Sequence, residues 1–129
     1  MSVMRELKFR AWDKQEKQMM KVSAISLENK EIGAKDFRTY HFFRIKNIEL
    51  MQYIGLKDKN SVEIYEGDIV KFPGGVGKVY YNKNTTCFNV SDFYNRSQDY
   101  PTLAFSENGN VIMEVIGNIH ENPELLERK

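Results

Sequence analysis

The stretch Glu49–Phe72, ELMQYIGLKDKNSVEIYEGDIVKF, decides how the rest of the chain is read. Large apolar side chains fall on both alternating faces of Ile48–Ile54: Ile48, Leu50 and Ile54 on one, Met51 and Tyr53 on the other. A strand apolar on both faces is buried on both. Gly55 permits a bend, and Lys57–Ser61 has the polar composition of a turn. A second strand-like run, Ile69–Phe72, follows the corner Ile64-Tyr65-Glu66-Gly67-Asp68, where Gly67 frees the backbone and Asp68 is placed to accept nearby N–H groups. The segment therefore reads as a joint between two β subdomains, residues 1–56 and 57–129, giving a strand to each.

Upstream of it, Glu6–Trp12 alternates, with Leu7, Phe9 and Ala11 on one face and Arg10 and Trp12 on the other. A polar loop at Asp13–Glu16 then predicts a hairpin with a second strand over 17–22. Between Ser23 and Asp36, Ile25, Leu27 and Ile32 allow a further strand, with Gly33 as punctuation. The run FRTYHFFRIK, read as a strand, carries Phe37, Thr39, His41, Phe43 and Ile45 on its apolar side. Arg38, Tyr40, Phe42, Arg44 and Lys46 form a basic and aromatic comb on the other. Such a comb suits single-stranded nucleic acid, whose bases stack on rings while cations track phosphates. The simpler reading makes it a face that covers the core or meets another subunit.

Downstream, strands are expected over 68–72, 77–81, 86–90, 102–106 and 111–119, with a bulge at Gly117 and a helical turn from Pro123. Five short strands at this spacing predict an SH3-like barrel, so the fold class is all-β throughout.

Composition sets the limits on function. The chain has 129 residues, 41% hydrophobic and 29% charged, with a net charge of +1, which argues against a strongly basic nucleic-acid protein. The charge is uneven. Residues 1–62 hold 13 Lys and Arg against 8 Asp and Glu, and the remainder 6 against 10, giving +5 and −4. That asymmetry favours head-to-tail contacts between copies, while a two-fold dimer is the commonest arrangement of oligomers, so the expectation is a homo-oligomer of either kind. The lone cysteine, Cys87, has no internal disulfide partner and reads as a small buried residue in a reducing compartment. The charged N-terminal MSVMRELKFRAW is neither a signal peptide nor a membrane span, so the expectation is a soluble cytoplasmic protein with no membrane partner.

Catalytic and cofactor signatures are weak. His41, Cys87 and His120 follow no metal-ligand spacing, and no cofactor is implied. PGGVGK, residues 73–78, lacks the Lys-Ser/Thr ending of a phosphate loop. Glu66 and Asp68 are the minimal pair for a hydrolase, without any supporting constellation. Phe42, Phe43, Met51, Tyr53, Phe93 and Tyr94 exceed what a small barrel buries, which predicts a homo-oligomer.

Three pieces in this order, LKFRAWDK, LMQYIGLKDKNSVEIYEGDIV and EVIGNIHENPELL, resemble the YopX family of phage- and prophage-encoded bacterial proteins. The resemblance spans about half of the chain, with the middle piece the most specific. It implies an all-β protein with an unusual N-terminal subdomain and a C-terminal SH3-like barrel. It leaves the biochemical role unestablished, because the family is defined by sequence and structure rather than by a reaction. Partners implied are a host or phage protein. Of the matched residues, Gly, Asn and Pro set turns, while Arg10, Trp12, Asp58, Tyr65, Glu66 and Asp68 are those that would converge into a binding surface where the subdomains meet. At Ser61 the family often has Gly. A left-handed turn there would cost a serine about 1–2 kcal/mol, which predicts a different turn form in this chain.

Overall fold

The computed structural model describes residues 6–35, 39–94 and 98–126. All regular structure in them is β-strand or short 3-10 helix. The chain divides into two compact units, Met1–Tyr53 and Ile54–Lys129.

The first unit contains β1 (Phe9–Asp13), β2 (Gln18–Ser26), β3 (Glu31–Lys35), β4 (Tyr40–Arg44) and the start of β5 (Ile48–Lys57), which runs on into the second unit. The sheet order is β4-β3-β2-β1-β5, every pair antiparallel. After β4, a 3-10 turn over Ile45–Asn47 carries the chain across to β5 beside β1. Alternation sends Ala11, Met20, Ile32, Ala34 and Ile48 inward, with Val22, Ile25, Phe43, Ile45 and Leu50 packed around them. The segment 23–35 proves more ordered than its sequence suggests. β2 continues to Ser26, and Gly33 lies inside β3 rather than punctuating it. A Cβ at Gly33 would collide with the Tyr40 ring, so the missing side chain makes room for a cross-strand aromatic. Met51 and Tyr53 are buried, which removes both from the surplus of apolar side chains expected at the surface.

The second unit holds β6 (Glu63–Tyr65), which pairs with β5, and then β7 (Asp68–Phe72), β8 (Gly75–Asn82), β9 (Cys87–Asp92) and β10 (Asp99–Pro101). A two-stranded ribbon follows, β11 (Ser106–Glu107) and β12 (Asn110–Val111), and then β13 (Glu114–Asn118). Five strands form one antiparallel sheet in the order β10-β9-β8-β7-β13. Ile64, Val70, Phe72, Val79, Val90, Phe105 and Met113 make its core.

Two expected strands take other forms. Thr102–Phe105 is a 3-10 helix instead of a strand. With three residues per turn, Thr102 and Phe105 fall on one face, and both are buried. Phe105 then stacks on Phe72 at 4.5 Å between centroids and meets Tyr100 edge-on at 5.5 Å. The run 111–119 is split into β12 and β13, because Met113 turns fully into the core between them. The bulge near Gly117 is present, as a register shift between Val115 and Gly117. The helical turn from Pro123 is also present, over Pro123–Leu126.

Four turns share one device. Asp13, Ser26, Asp58 and Asn82 each open a turn, and a side-chain oxygen of each accepts a backbone N–H two or three residues on. Each turn then closes on a non-glycine residue in the left-handed region: Lys17 (φ 54°), Lys30 (φ 55°), Ser61 (φ 66°) and Thr86 (φ 54°). Ser61 thus keeps the left-handed turn that its departure from glycine had argued against. The fixed hydrogen bonds of Asp58 offset the serine's strain.

Candidate functional site

β4 forms one edge of the first unit's sheet. It pairs with β3 from Lys35↔Tyr40 to Glu31↔Arg44 with no register break. The side chains alternate as the sequence implied. Tyr40, Phe42 and Arg44 are exposed, and His41 and Phe43 are half-buried on the core side. Phe42 is the extreme case at 69% exposure, beside Tyr40 at 44%. Their rings meet edge to face at 5.7 Å between centroids. Lys46 continues the row on the 3-10 turn, also exposed. Arg38, the remaining member of the comb, lies outside the described residues.

Two clefts flank the end of this strand. One, about 530 Å³, lies between the β1–β2 turn and the β4 end and is lined by Asp13, Lys14, Gln15, Phe42, Phe43, Arg44, Lys46 and Asn47. The other, about 380 Å³, is lined by Asn29, Lys30, Arg44, Ile45 and Lys46. Arg44 and Lys46 border both. The sequence pattern does not single out Lys14 and Lys30: Lys30 borders β4 because it precedes Glu31, which pairs with Arg44, and Lys14 lies on the β1–β2 turn. Asp13, the one carboxylate in the larger cleft, is occupied by the N–H groups of Gln15 and Glu16 at 2.9 and 3.2 Å. Lys14 pairs with Glu49 at 3.3 Å. With Lys14 so paired and Asp13 still charged, Arg44 and Lys46 leave the larger cleft net cationic beside the Phe42 and Phe43 rings, and Lys30, Arg44 and Lys46 line the smaller one without a carboxylate.

The other candidate surface is placed as follows. Arg10 and Trp12 lie on β1, half-buried, opposite Lys21 and Met19 of β2. In the second unit Asp58 is buried, with Oδ1 accepting from Asn60 and Val62 at 2.8 and 2.9 Å and Oδ2 accepting from Val115 at 2.8 Å. Asp68 is only 2% exposed, and its Oδ2 accepts the Tyr65 N–H at 2.8 Å. Tyr65 and Glu66 are half-buried. Both aspartates are buried and accept backbone N–H groups, which holds the chain in place. The C-terminal motif is built likewise. Asn118 Oδ1 accepts from His120 and Glu121 at 3.0 and 2.8 Å, Asn122 Oδ1 accepts the Asn118 N–H at 3.1 Å, and the Gly67 carbonyl accepts the Ile119 N–H at 2.9 Å.

A polar group not anticipated from sequence lies across β8, β9 and β10. Tyr80 donates its hydroxyl to Asp99, Asn89 reaches the same carboxylate at 3.5 Å, and the Cys87 thiol donates to Asn89 Oδ1 at 3.1 Å. The hydrogen bond to the Asp99 carboxylate, with burial second, raises the Tyr80 pKa above its ordinary 10.0. Cys87 is half-buried rather than buried. Among the described residues no cluster of His, Cys, Asp and Glu is arranged to hold a metal ion, and no helix is long and apolar enough to cross a membrane.

A family model described as YopX protein matches residues 8–127, nearly the whole chain. The chain belongs to the YopX family. Among solved structures it is similar to that titled protein EF1440 from Enterococcus faecalis, with 28% sequence identity, coverage of 95% of this chain and 99% of that one, and a TM-score of 0.63. No curated protein matches. Membership gives meaning to the Asp58, Gly67–Asp68 and Gly117–Asn122 hydrogen bonds. The stretches that carry the family resemblance supply the contacts that fix turns and corners. The β4 comb lies within the matched span but outside the three motifs LKFRAWDK, LMQYIGLKDKNSVEIYEGDIV and EVIGNIHENPELL.

Proposed function

We propose that this YopX-family chain is a non-enzymatic interaction or assembly module, a phage or prophage accessory protein of the bacterial cytoplasm, which binds a protein partner or itself through β4. The observation that carries this reading is an exposed sheet edge bearing Tyr40, Phe42 and Arg44. Exposed aromatic groups on an unguarded edge suit strand addition, in which main-chain hydrogen bonds supply affinity and side chains supply selectivity. A hydrolytic role for Glu66 and Asp68 is disfavoured by the burial and backbone bonding of Asp68. Light scattering over a range of concentrations, with a pull-down from host-cell extract, tests the reading. The expected result is an oligomer or a captured protein that Phe42→Asp abolishes while circular dichroism stays unchanged. A constant 15.2 kDa species with no partner lost on that substitution would overturn it.

A second reading is favoured by the cationic clefts. Tyr40, Phe42, Arg44 and Lys46 follow one another along a strand and a turn, as a stacking and phosphate-tracking surface for single-stranded nucleic acid requires. Absence of oligonucleotide binding at low salt removes this reading.

A further inference from the structure

The hydrogen-bond phase of the β3–β4 ladder determines which groups β4 turns outward. The Ile45 N–H donates to the Lys30 carbonyl at 3.0 Å. That bond lies in the same register as Phe43↔Ile32 and His41↔Ala34. In an antiparallel ladder bonded and non-bonded pairs alternate. Ile45, Phe43 and His41 therefore direct their N–H and C=O groups toward β3. Those of Tyr40, Phe42 and Arg44 point away from the sheet. The residues with outward main-chain groups are the same ones whose side chains are exposed on one face.

We infer that two copies of this chain pair antiparallel through β4, about a two-fold axis at Phe42. The proposal deepens the self-binding reading and rests on it. The edge is self-complementary in a specific way. Tyr40 and Arg44 stand two residues to either side of Phe42, so each lies opposite the other across the axis. All three pairs then use outward-pointing main-chain groups. Each Arg44 guanidinium meets the partner's Tyr40 ring, a cation–π contact, and the two Phe42 rings meet at the centre. A slip of one residue would match outward groups with inward ones. A parallel arrangement would bring Arg44 beside its own copy, and like charges placed opposite each other are unfavourable.

Among the described strands the remaining edges are guarded, and β11 and β12 have only two residues each. β10 is three residues long and ends in Pro101, β13 is interrupted by its bulge, and β6 has three residues. β4 has neither proline nor bulge. It is also the edge on which the most exposed aromatic residue of the described chain sits.

Cysteine scanning in the full-length Cys87→Ser chain tests the register. The facing Cα atoms would be about 5.5 Å apart, within the range a disulfide bridges. Under mild oxidation Phe42→Cys should cross-link with itself. Tyr40→Cys mixed with Arg44→Cys should cross-link, whereas each alone should not. Leu27→Cys, at an exposed hairpin tip, is the background control. Light scattering of the parent chain should show a mass of twice 15.2 kDa. A monomer at every concentration would overturn self-binding and the register with it. An oligomer in which the Tyr40 and Arg44 cysteines cross-link no better together than apart would overturn the register alone.

Discussion

Ser61 shows how much one backbone angle conveys. A serine held at φ 66° carries strain that glycine does not. Glycine is also more flexible when unfolded, so Ser61→Gly should gain only about 0.5–1 kcal/mol in urea denaturation. Thr86→Gly, at φ 54° with a β-branched side chain, should gain at least as much. The turns were legible as turns, but their handedness was not. Glycine is the usual sequence mark of a left-handed position, whereas here Asp13, Ser26, Asp58 and Asn82 favour it by binding the turn's N–H groups. Tyr80 gives a prediction in pH. Its folded pKa exceeds 10.0, so its favourable contribution is complete below about pH 10 and is lost as pH rises through the folded value. Asp99→Asn should bring the phenolate absorbance transition of Tyr80 down toward 10.0, with Tyr80→Phe identifying which transition it is.

At the level of elements, alternation located β1, β2, β5, β7, β8 and β9 correctly, because each has one face in a core. It failed at Thr102–Phe105, where four residues alternate as well in a strand as in a 3-10 turn. What decides there is the aromatic cluster of Phe72, Tyr100 and Phe105, whose members lie up to thirty-three residues apart in the chain and cannot be paired from periodicity. The shared exposed face of Tyr40, Phe42 and Arg44 on β4 was legible from period two alone. The clefts beside it were not, since Lys14 and Lys30 reach them through tertiary folding. At Gly77 on β8 an added Cβ would lie 2.5 Å from the Ser91 carbonyl oxygen and 2.6 Å from Val90 on β9. Gly77→Ala should therefore destabilise the chain by about 1–3 kcal/mol, read as a lower denaturation midpoint with unchanged slope.

For the whole molecule, a net charge of +1 conceals a cationic patch around Lys14, Lys30, Arg44 and Lys46. If single-stranded nucleic acid engages three or four of these, the logarithm of affinity should fall against the logarithm of salt with a slope of about −2 to −3. Arg44→Gln should reduce that slope by about 0.7, whereas Phe42→Ala should weaken binding without changing it. Strand addition by protein has no such signature, since main-chain bonds carry no net charge. A titration in salt therefore separates the two kinds of partner.

β5 has a consequence for inheritance. Its ten residues belong to both compact units, and the division between Tyr53 and Ile54 falls inside the strand rather than in a loop. Met51 and Gln52, just before it, are paired with Arg10 and Phe9. Recombination between related genes at this boundary would join two half-strands that had been fitted to different neighbours. Exchange is tolerated where backbone is exposed and outside a ladder, as at the tip Leu27–Asn29, and not within one. The two units should therefore pass between genomes together, as one indivisible cassette.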